Sequence, residues 1–252
     1  PHPSISDLGF VLAHTEVIHN KAYEKLLDTL QLGDAFEENM KEKSLNDRVK
    51  YLRKYLNRPY GDQKRKQILY SLVLFTLFVE NVSLFSQFYI PLAMNTFKGG
   101  ILKDVSQQIQ YTRQEETLHA NVGKSLINTL RYEHPELFDE ELEERIRQES
   151  YEAFEAERRI IRWILQGYEL TDERSGLKII SEEILDWFIF DRINQSLDDI
   201  GFSPIEADVT NYSENTLWFY EELEGNTMTD FFVKNPIEYT KNAEPIKAAD
   251  LF

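Results

Sequence analysis

Two histidines each follow a glutamate by three residues, a spacing that places both side chains on one face of a helix. The first pair is Glu16 and His19, in the stretch EVIHNKAY, and the second is Glu116 and His119, in RQEETLH. The chain holds only five histidines, but its acidic residues are abundant, so each pair alone also fits an ordinary surface interaction. The surroundings favour chemistry, because both pairs lie among apolar residues.

Glu80 is the only charged residue between Ile68 and Met94. An ionised carboxylate in apolar surroundings is unfavourable unless it is paired or bound to a metal. One interpretation is a protonated or hydrogen-bonded glutamate. The other is a metal site to which Glu80 and both Glu-x-x-His pairs contribute. Carboxylates can bridge and neutralise two divalent ions, while imidazoles hold the ions and leave positions open for dioxygen.

Helical periodicity runs through nearly the whole chain, and no run typical of a strand stands out. The pattern favours an all-α helical bundle, and Glu80 with the two Glu-x-x-His pairs makes it resemble a ferritin-like bundle with a di-metal carboxylate site. Such bundles place one carboxylate on each of two helices and a Glu-x-x-His pair on each of the other two. The pattern predicts helices over roughly 4–30, 63–95, 101–132, 139–166 and 181–200, with a short helix that starts at Ser44 and ends before Pro59.

One carboxylate of that arrangement has no counterpart in this sequence. It is expected on a helix before the first pair, which would lie upstream of Pro1. Asp7 is the only earlier acid, and it lies on the same helix as Glu16, so it is not expected to substitute. The N-terminal helix of the bundle is therefore expected to be missing from this chain. Either an upstream segment or a separate chain would supply it.

Composition narrows the class of protein. The net charge of −16 argues against binding to nucleic acid and against docking on an anionic membrane surface, because both carry negative charge. There is no cysteine, which excludes disulfides and thiolate metal sites and fits a cytoplasmic location. The N-terminus lacks the features of a signal peptide. Residues 68–94 are long and apolar enough to span a bilayer, but the central Glu80 favours a buried core helix instead.

Together these residues resemble the small, radical-generating subunit of class I ribonucleotide reductase. The resemblance rests on Glu16-x-x-His19-x-x-x-Tyr23, on Glu80 in FVENVSLFSQF and on the pair in RQEETLH, with TDFFVKNPIEYTKNA and a terminal AADLF in the tail. It implies that two metal ions, di-iron or manganese and iron, are held by Glu16, His19, Glu80, Glu116 and His119. It also implies that they react with dioxygen and oxidise Tyr23 to a radical.

The family resemblance further implies a path that carries the radical to a separate large catalytic subunit, where ribonucleotides are reduced. His19, Glu115 and Tyr239 match positions on that path, although the family usually has aspartate where Glu115 stands. The tryptophan of the path would fall upstream of Pro1. Leu84 and Phe88 match apolar residues that shield the radical.

The implied organisation is a helical domain over 1–223 and a flexible tail over 224–252 that docks on the large subunit. A homodimer is also implied. Within the same fold, an acyl desaturase or a hydroxylase component is an alternative, and a metal-storage or structural bundle is another. Tyr23 and the tail sequence favour the reductase.

Overall fold

A computed structural model of the chain describes residues 3–227, with side chains described as far as residue 222. Within this range the chain is helical almost throughout, as predicted. The helices are α1 (Pro3–Leu30), α2 (Gly33–Asn39), α3 (Lys43–Leu52), α4 (Lys64–Leu74), α5 (Leu84–Phe97), α6 (Lys103–Glu133), α7 (Glu140–Leu165), α8 (Glu182–Asp199) and α9 (Ser213–Thr227), with 3₁₀ turns at Arg53–Leu56 and Pro135–Leu137.

Contacts between residues divide the chain into two units. Within the described residues, one unit contains 3–42 and 218–227, and the other is Lys43–Leu217. In the first unit, α1 extends over 28 residues. In the second, α7 packs against α3 and α8, and α6 packs against α5. The apolar faces of these helices form its core, in which Ile146, Ile161 and Phe188 are fully buried.

Helices α4 and α5 are joined by a π-helical segment, Phe75–Ser83, so that residues 64–97 form one continuous helical run. A regular α-helix was predicted here, and the π-helical turns correct that expectation. The segment packs against both α6 and α8. π-Helical turns are rare and often occur at functional sites, because the extra residue in the turn shifts which side chains face a neighbour.

The same run, Lys64–Phe97, is long and apolar enough to cross a membrane, judged by length and composition. However, 67% of its most apolar window is buried inside the protein. Leu69 and Val73 have no exposed surface. The run therefore has the burial expected of a core helix, as the sequence predicts.

Helix boundaries follow local capping signals. The Asp139 side chain accepts a hydrogen bond from the Leu142 backbone N–H at 3.0 Å and starts α7. Ser181 Oγ accepts one from the Ile184 N–H at 3.3 Å and starts α8. Such oxygens satisfy amides in the first helical turn that have no partner within the helix. These two predicted helices therefore agree with the structure to within one residue at each end.

A short two-stranded hairpin of five residues accompanies the helices, and the sequence pattern does not indicate it. Strands β1 (Leu170–Thr171) and β2 (Lys178–Ile180) pair antiparallel, with Leu170 opposite Ile180. Runs this short carry no periodicity to recognise. Helix α9 was also not predicted, because apolar spacing is weak there. Residues 228–252, which hold most of the expected tail, lie outside the described residues.

Candidate metal centre

Three side chains of the Lys43–Leu217 unit meet in its interior. Glu80 comes from the π-helical segment, and Glu116 and His119 come from α6. Each offers a ligand atom, and these atoms lie within 4.8 Å of one another. His119 Nδ1 is 3.5 Å from Glu80 Oε2 and 3.5 Å from Glu116 Oε2. Exposures of 4%, 1% and 4% for Glu80, Glu116 and His119 place the cluster out of contact with bulk water.

A close approach of two elements makes this cluster possible. Gly123, two turns beyond Glu116 on α6, lies directly against Thr76 of the π-helical segment. A Cβ at Gly123 would lie 2.2 Å from Thr76 Oγ1 and 2.7 Å from Thr76 Cγ2. With the Thr76 side chain in this position, a residue larger than glycine at 123 would require the two elements or that side chain to move.

Burial dominates the electrostatics of the cluster. It raises the pKa of Glu80 to about 8; His119 opposes this rise, and Glu116 adds to it. Without a cation the two neighbouring carboxyls therefore retain a proton near neutral pH, because two buried negative charges side by side are unfavourable. A divalent cation would remove that cost and displace the proton.

The donor set fits a metal ion. Two carboxylates and one imidazole are ligands that iron and manganese accept. Glu80 Oε2 is buried and makes no hydrogen bond of ordinary geometry within the described residues, which leaves a lone pair for coordination. The distances from His119 Nδ1 to Glu80 Oε2 and to Glu116 Oε2, both 3.5 Å, are long for hydrogen bonds but suit groups that bind the same cation.

The other Glu-x-x-His pair lies on α1, in the first unit. His19 Nδ1 is 3.6 Å from Glu16 Oε2, nearly the same separation as in the pair on α6. His19 is buried, whereas the Glu16 side chain is 46% exposed. Tyr23 follows His19 by one helical turn and is half-buried. The two pairs thus repeat one local geometry on two helices.

The remaining residues implied by the resemblance have different positions. Glu115, next to Glu116 on α6, is exposed. Phe88 of α5 is buried and Leu84 is half-buried. Tyr239 lies outside the described residues.

Sequence reasoning missed several buried charged residues near the cluster. Arg113, one turn before Glu116 on α6, has no exposed surface. Arg48 and Arg192 are 8% and 7% exposed and contact the π-helical segment. A signal exists for Arg192, because it shares an apolar stripe of α8 with Phe188 and Ile189. No local signal distinguishes Arg48 from the many basic residues around it.

The fold and the cluster define a helical protein with a buried carboxylate–histidine centre. Its sequence from residue 2 to 208 matches the family model described as ribonucleotide reductase, small chain. The chain belongs to this family.

Similar proteins agree with that assignment. A protein of Invertebrate iridescent virus 3, named "Probable ribonucleoside-diphosphate reductase small subunit", is 26% identical over 95% of this chain. The ribonucleoside-diphosphate reductase subunit beta of Aquifex aeolicus is 34% identical over 50% of this chain and 17% of its own length. The chain spans 64% of the viral relative's length, which is less than two thirds.

A solved structure shows the same fold. The ribonucleotide reductase R2 subunit from Clostridium botulinum superposes with a TM-score of 0.70, at 20% identity, over 87% of this chain and 66% of that one. The predicted ferritin-like fold is confirmed.

Proposed function

We propose that this chain acts as the radical-generating small subunit of a ribonucleoside-diphosphate reductase. Family membership supports this proposal, and one observation carries it: a buried cluster of two carboxylates and an imidazole that fits a divalent cation. The activity would require a separate large catalytic subunit, which holds the nucleotide.

In this proposal, Glu16 and His19 contribute ligands to the same centre as Glu80, Glu116 and His119. The support is the repeated pattern: both helices carry glutamate and histidine three residues apart, with nearly equal Nδ1–Oε2 separations of 3.6 and 3.5 Å. Ferritin-like bundles use such pairs on two helices to hold two metal ions. Two iron ions, or manganese and iron, would supply the reduction of dioxygen and a one-electron oxidation of a nearby phenol.

Tyr23 is the proposed radical site. Its phenol would lose one electron and its proton, leaving a neutral radical. It stands four residues after His19, on the same face of α1. Phe88, which is buried, and Leu84 are proposed to shield that radical from water and reductants.

His19, Glu115 and Tyr239 are proposed to relay the radical to the large subunit. The tail over 224–252 would dock there, with Leu251 and Phe252 entering an apolar groove. We also propose a homodimer and a cytoplasmic location.

Reconstitution tests this function. The protein is loaded with iron, or with manganese and iron, and exposed to oxygen. It is then combined with the large subunit from the same source, a ribonucleoside diphosphate, and a dithiol that supplies the two electrons for each reduction. We expect deoxyribonucleotide formation that requires both subunits, metal and oxygen. Uptake of many iron ions per chain without any nucleotide reduction would instead indicate metal storage. Oxidation of an acyl or hydrocarbon substrate would indicate a different di-metal oxidase.

A further inference from the structure

Two buried arginines donate hydrogen bonds to backbone carbonyls of the π-helical segment, directly after Glu80. Arg192 of α8 donates through Nε to the carbonyl oxygen of Asn81 at 2.7 Å, and through Nη2 to Asn81 Oδ1 at 2.5 Å. Arg48 of α3 donates through Nη2 to the carbonyl oxygen of Ser83 at 2.7 Å and also to Ser83 Oγ. The two guanidiniums therefore reach the same end of the segment from different helices.

Each guanidinium is fixed in turn by its own partners. Arg48 Nε donates to Glu157 Oε1 of α7 at 2.9 Å, and Glu157 Oε2 accepts a hydrogen bond from Ser86 Oγ at 2.7 Å. Glu157 has no exposed surface. Buried charges that are paired and hydrogen-bonded on several sides hold one geometry, because any displacement leaves a charge without compensation.

Arg192 is also held by stacking on aromatic rings. Its guanidinium carbon lies 3.9 Å from the centre of the Phe85 ring and 6.0 Å from that of Phe188. Asn81 Nδ2 also donates to Ser196 Oγ of α8, one turn beyond Arg192. The segment is thus joined to α8 through both the backbone and the side chain of Asn81.

A π-helical turn needs such support. It is wider than an α-helical turn and is rare in isolation, so an adjacent α-helical register would otherwise compete with it. Changing that register would rotate Glu80 relative to the cluster. Donors on the carbonyls of Asn81 and Ser83 favour the wider turn.

We propose that Arg48 and Arg192 are positioning residues that hold the π-helical register and thereby present Glu80 to the metal beside Glu116 and His119. This inference rests on the proposed metal-binding function. Neither arginine is a ligand in it; both act through the backbone of the segment.

The chain offers a matched control in Arg131. This arginine also donates to a backbone carbonyl from another element, that of Ile200, at 3.1 Å from Nε and 2.8 Å from Nη2. It also stacks on an aromatic ring, with its guanidinium carbon 4.1 Å from the centre of Phe138. It contacts the end of α8 and not the π-helical segment. Arg131→Met thus removes the same kinds of interaction at a different place.

The experiment compares Arg192→Met with Arg131→Met in two measurements. Hydrogen exchange of the amides of residues 75–83 is followed by mass spectrometry in the metal-free protein, and binding of Co²⁺ alone is titrated by its visible absorption. We expect both variants to unfold at lower temperature. Only Arg192→Met should speed exchange in 75–83, weaken Co²⁺ binding roughly tenfold, and shift the absorption bands, as loss of a partner that orients a ligand typically does.

A double variant tests Arg48, because replacing Arg48 alone would leave the buried Glu157 carboxylate without its paired charge. Arg48→Met combined with Glu157→Gln should also speed exchange in 75–83 and weaken Co²⁺ binding. Arg192→Lys, which retains a charged donor, should recover part of the affinity that Arg192→Met loses.

Arg192→Met and Arg131→Met could lose the same stability and also show the same exchange in 75–83 and the same Co²⁺ affinity. That result would show that the arginines only stabilise the fold, and it would overturn the inference. Failure of the proposed function would look different, since the wild-type protein itself would then bind no Co²⁺. In that event the proposed role of the arginines in metal binding would also be wrong. Hydrogen exchange of residues 75–83 would still decide whether Arg192 holds the π-helical segment.

Discussion

The carboxyl groups of Glu80 and Glu116 are buried, so solvent cannot screen their charges. In the same unit, the imidazole of His119 lies 3.5 Å from a carboxyl oxygen of each. Without a cation, two negative charges side by side in the interior would be unfavourable, and the proton that the two carboxyls retain partly relieves this repulsion. Binding of a divalent ion replaces that proton, so the same burial that destabilises the metal-free cluster favours coordination.

Glu116→Gln removes one charge and one strong ligand from the cluster while retaining its size. We expect its affinity for Fe²⁺ or Mn²⁺ to fall at least roughly tenfold, because a neutral amide oxygen is a weaker donor to a hard cation. Isothermal titration calorimetry under anaerobic conditions measures this. Glu133→Gln, an exposed substitution on the same helix, is the matched control and should leave the affinity unchanged. Equal affinities in the two variants would remove Glu116 from the site.

The pKa of Glu80, raised to about 8 from 4.5, sets a pH dependence for the metal-free protein. The unfolded chain loses this proton above pH 4.5 while the folded chain keeps it, so the folded state binds more protons and its stability falls as pH rises toward 8. The loss is on the order of a few kcal/mol. Chemical denaturation between pH 5 and 8 should show it, and Glu80→Gln should flatten the difference. A wild-type slope equal to that of Glu80→Gln would contradict this assignment.

At the scale of elements, the site depends on how closely α6 packs on the π-helical segment. The Glu-x-x-His spacing on α6 could be read from the sequence, because two ligands one turn apart on one helix are a local feature. The segment itself could not. Its wider turn depends on donors from α3 and α8, which are distant in sequence, and on the absence of a side chain at Gly123. The same long-range origin explains why Arg48 was missed, whereas the apolar stripe of α8 offered a local signal for Arg192.

Gly123→Ala should destabilise the protein by about 1–3 kcal/mol, the usual cost of overpacking, because the new methyl group would meet Thr76 at 2.2 Å. Thermal unfolding measures the effect, and metal affinity should fall as α6 and the segment separate. Combining it with Thr76→Ala, which removes both close atoms, should recover part of the loss. Gly9→Ala is the control: it lies in α1 with no atom within 4 Å of the new Cβ, so it should be neutral or stabilising.

At the scale of the whole molecule, the sequence was most informative where the signal is a repeated pattern. Both Glu-x-x-His pairs lie on long helices, and the apolar run around Glu80 lies in the core. It was least informative where a few residues act together: the two-stranded hairpin at 170–180, the short helix α2 and helix α9. These elements are too short, or too weakly patterned, for local periodicity to reveal them.

The tail provides a prediction about assembly. A peptide of residues 240–252 should compete with the intact protein for the large subunit, because its terminal Leu251 and Phe252 are expected to fill an apolar groove. Inhibition of nucleotide reduction by increasing peptide concentrations measures this, with a scrambled peptide of the same composition as the control. Equal inhibition by both peptides would show that the tail sequence is not what the large subunit recognises.

The most direct test of the central proposal is the electron paramagnetic resonance spectrum of the protein after loading with iron, or with manganese and iron, and exposure to oxygen. We predict an organic radical whose hyperfine structure changes when the protein is grown with ring-deuterated tyrosine and which is absent in Tyr23→Phe. That variant should retain wild-type metal content. A radical of the same shape that persists in Tyr23→Phe, or a wild-type protein that binds two metal ions and forms no radical with oxygen, would contradict the proposal.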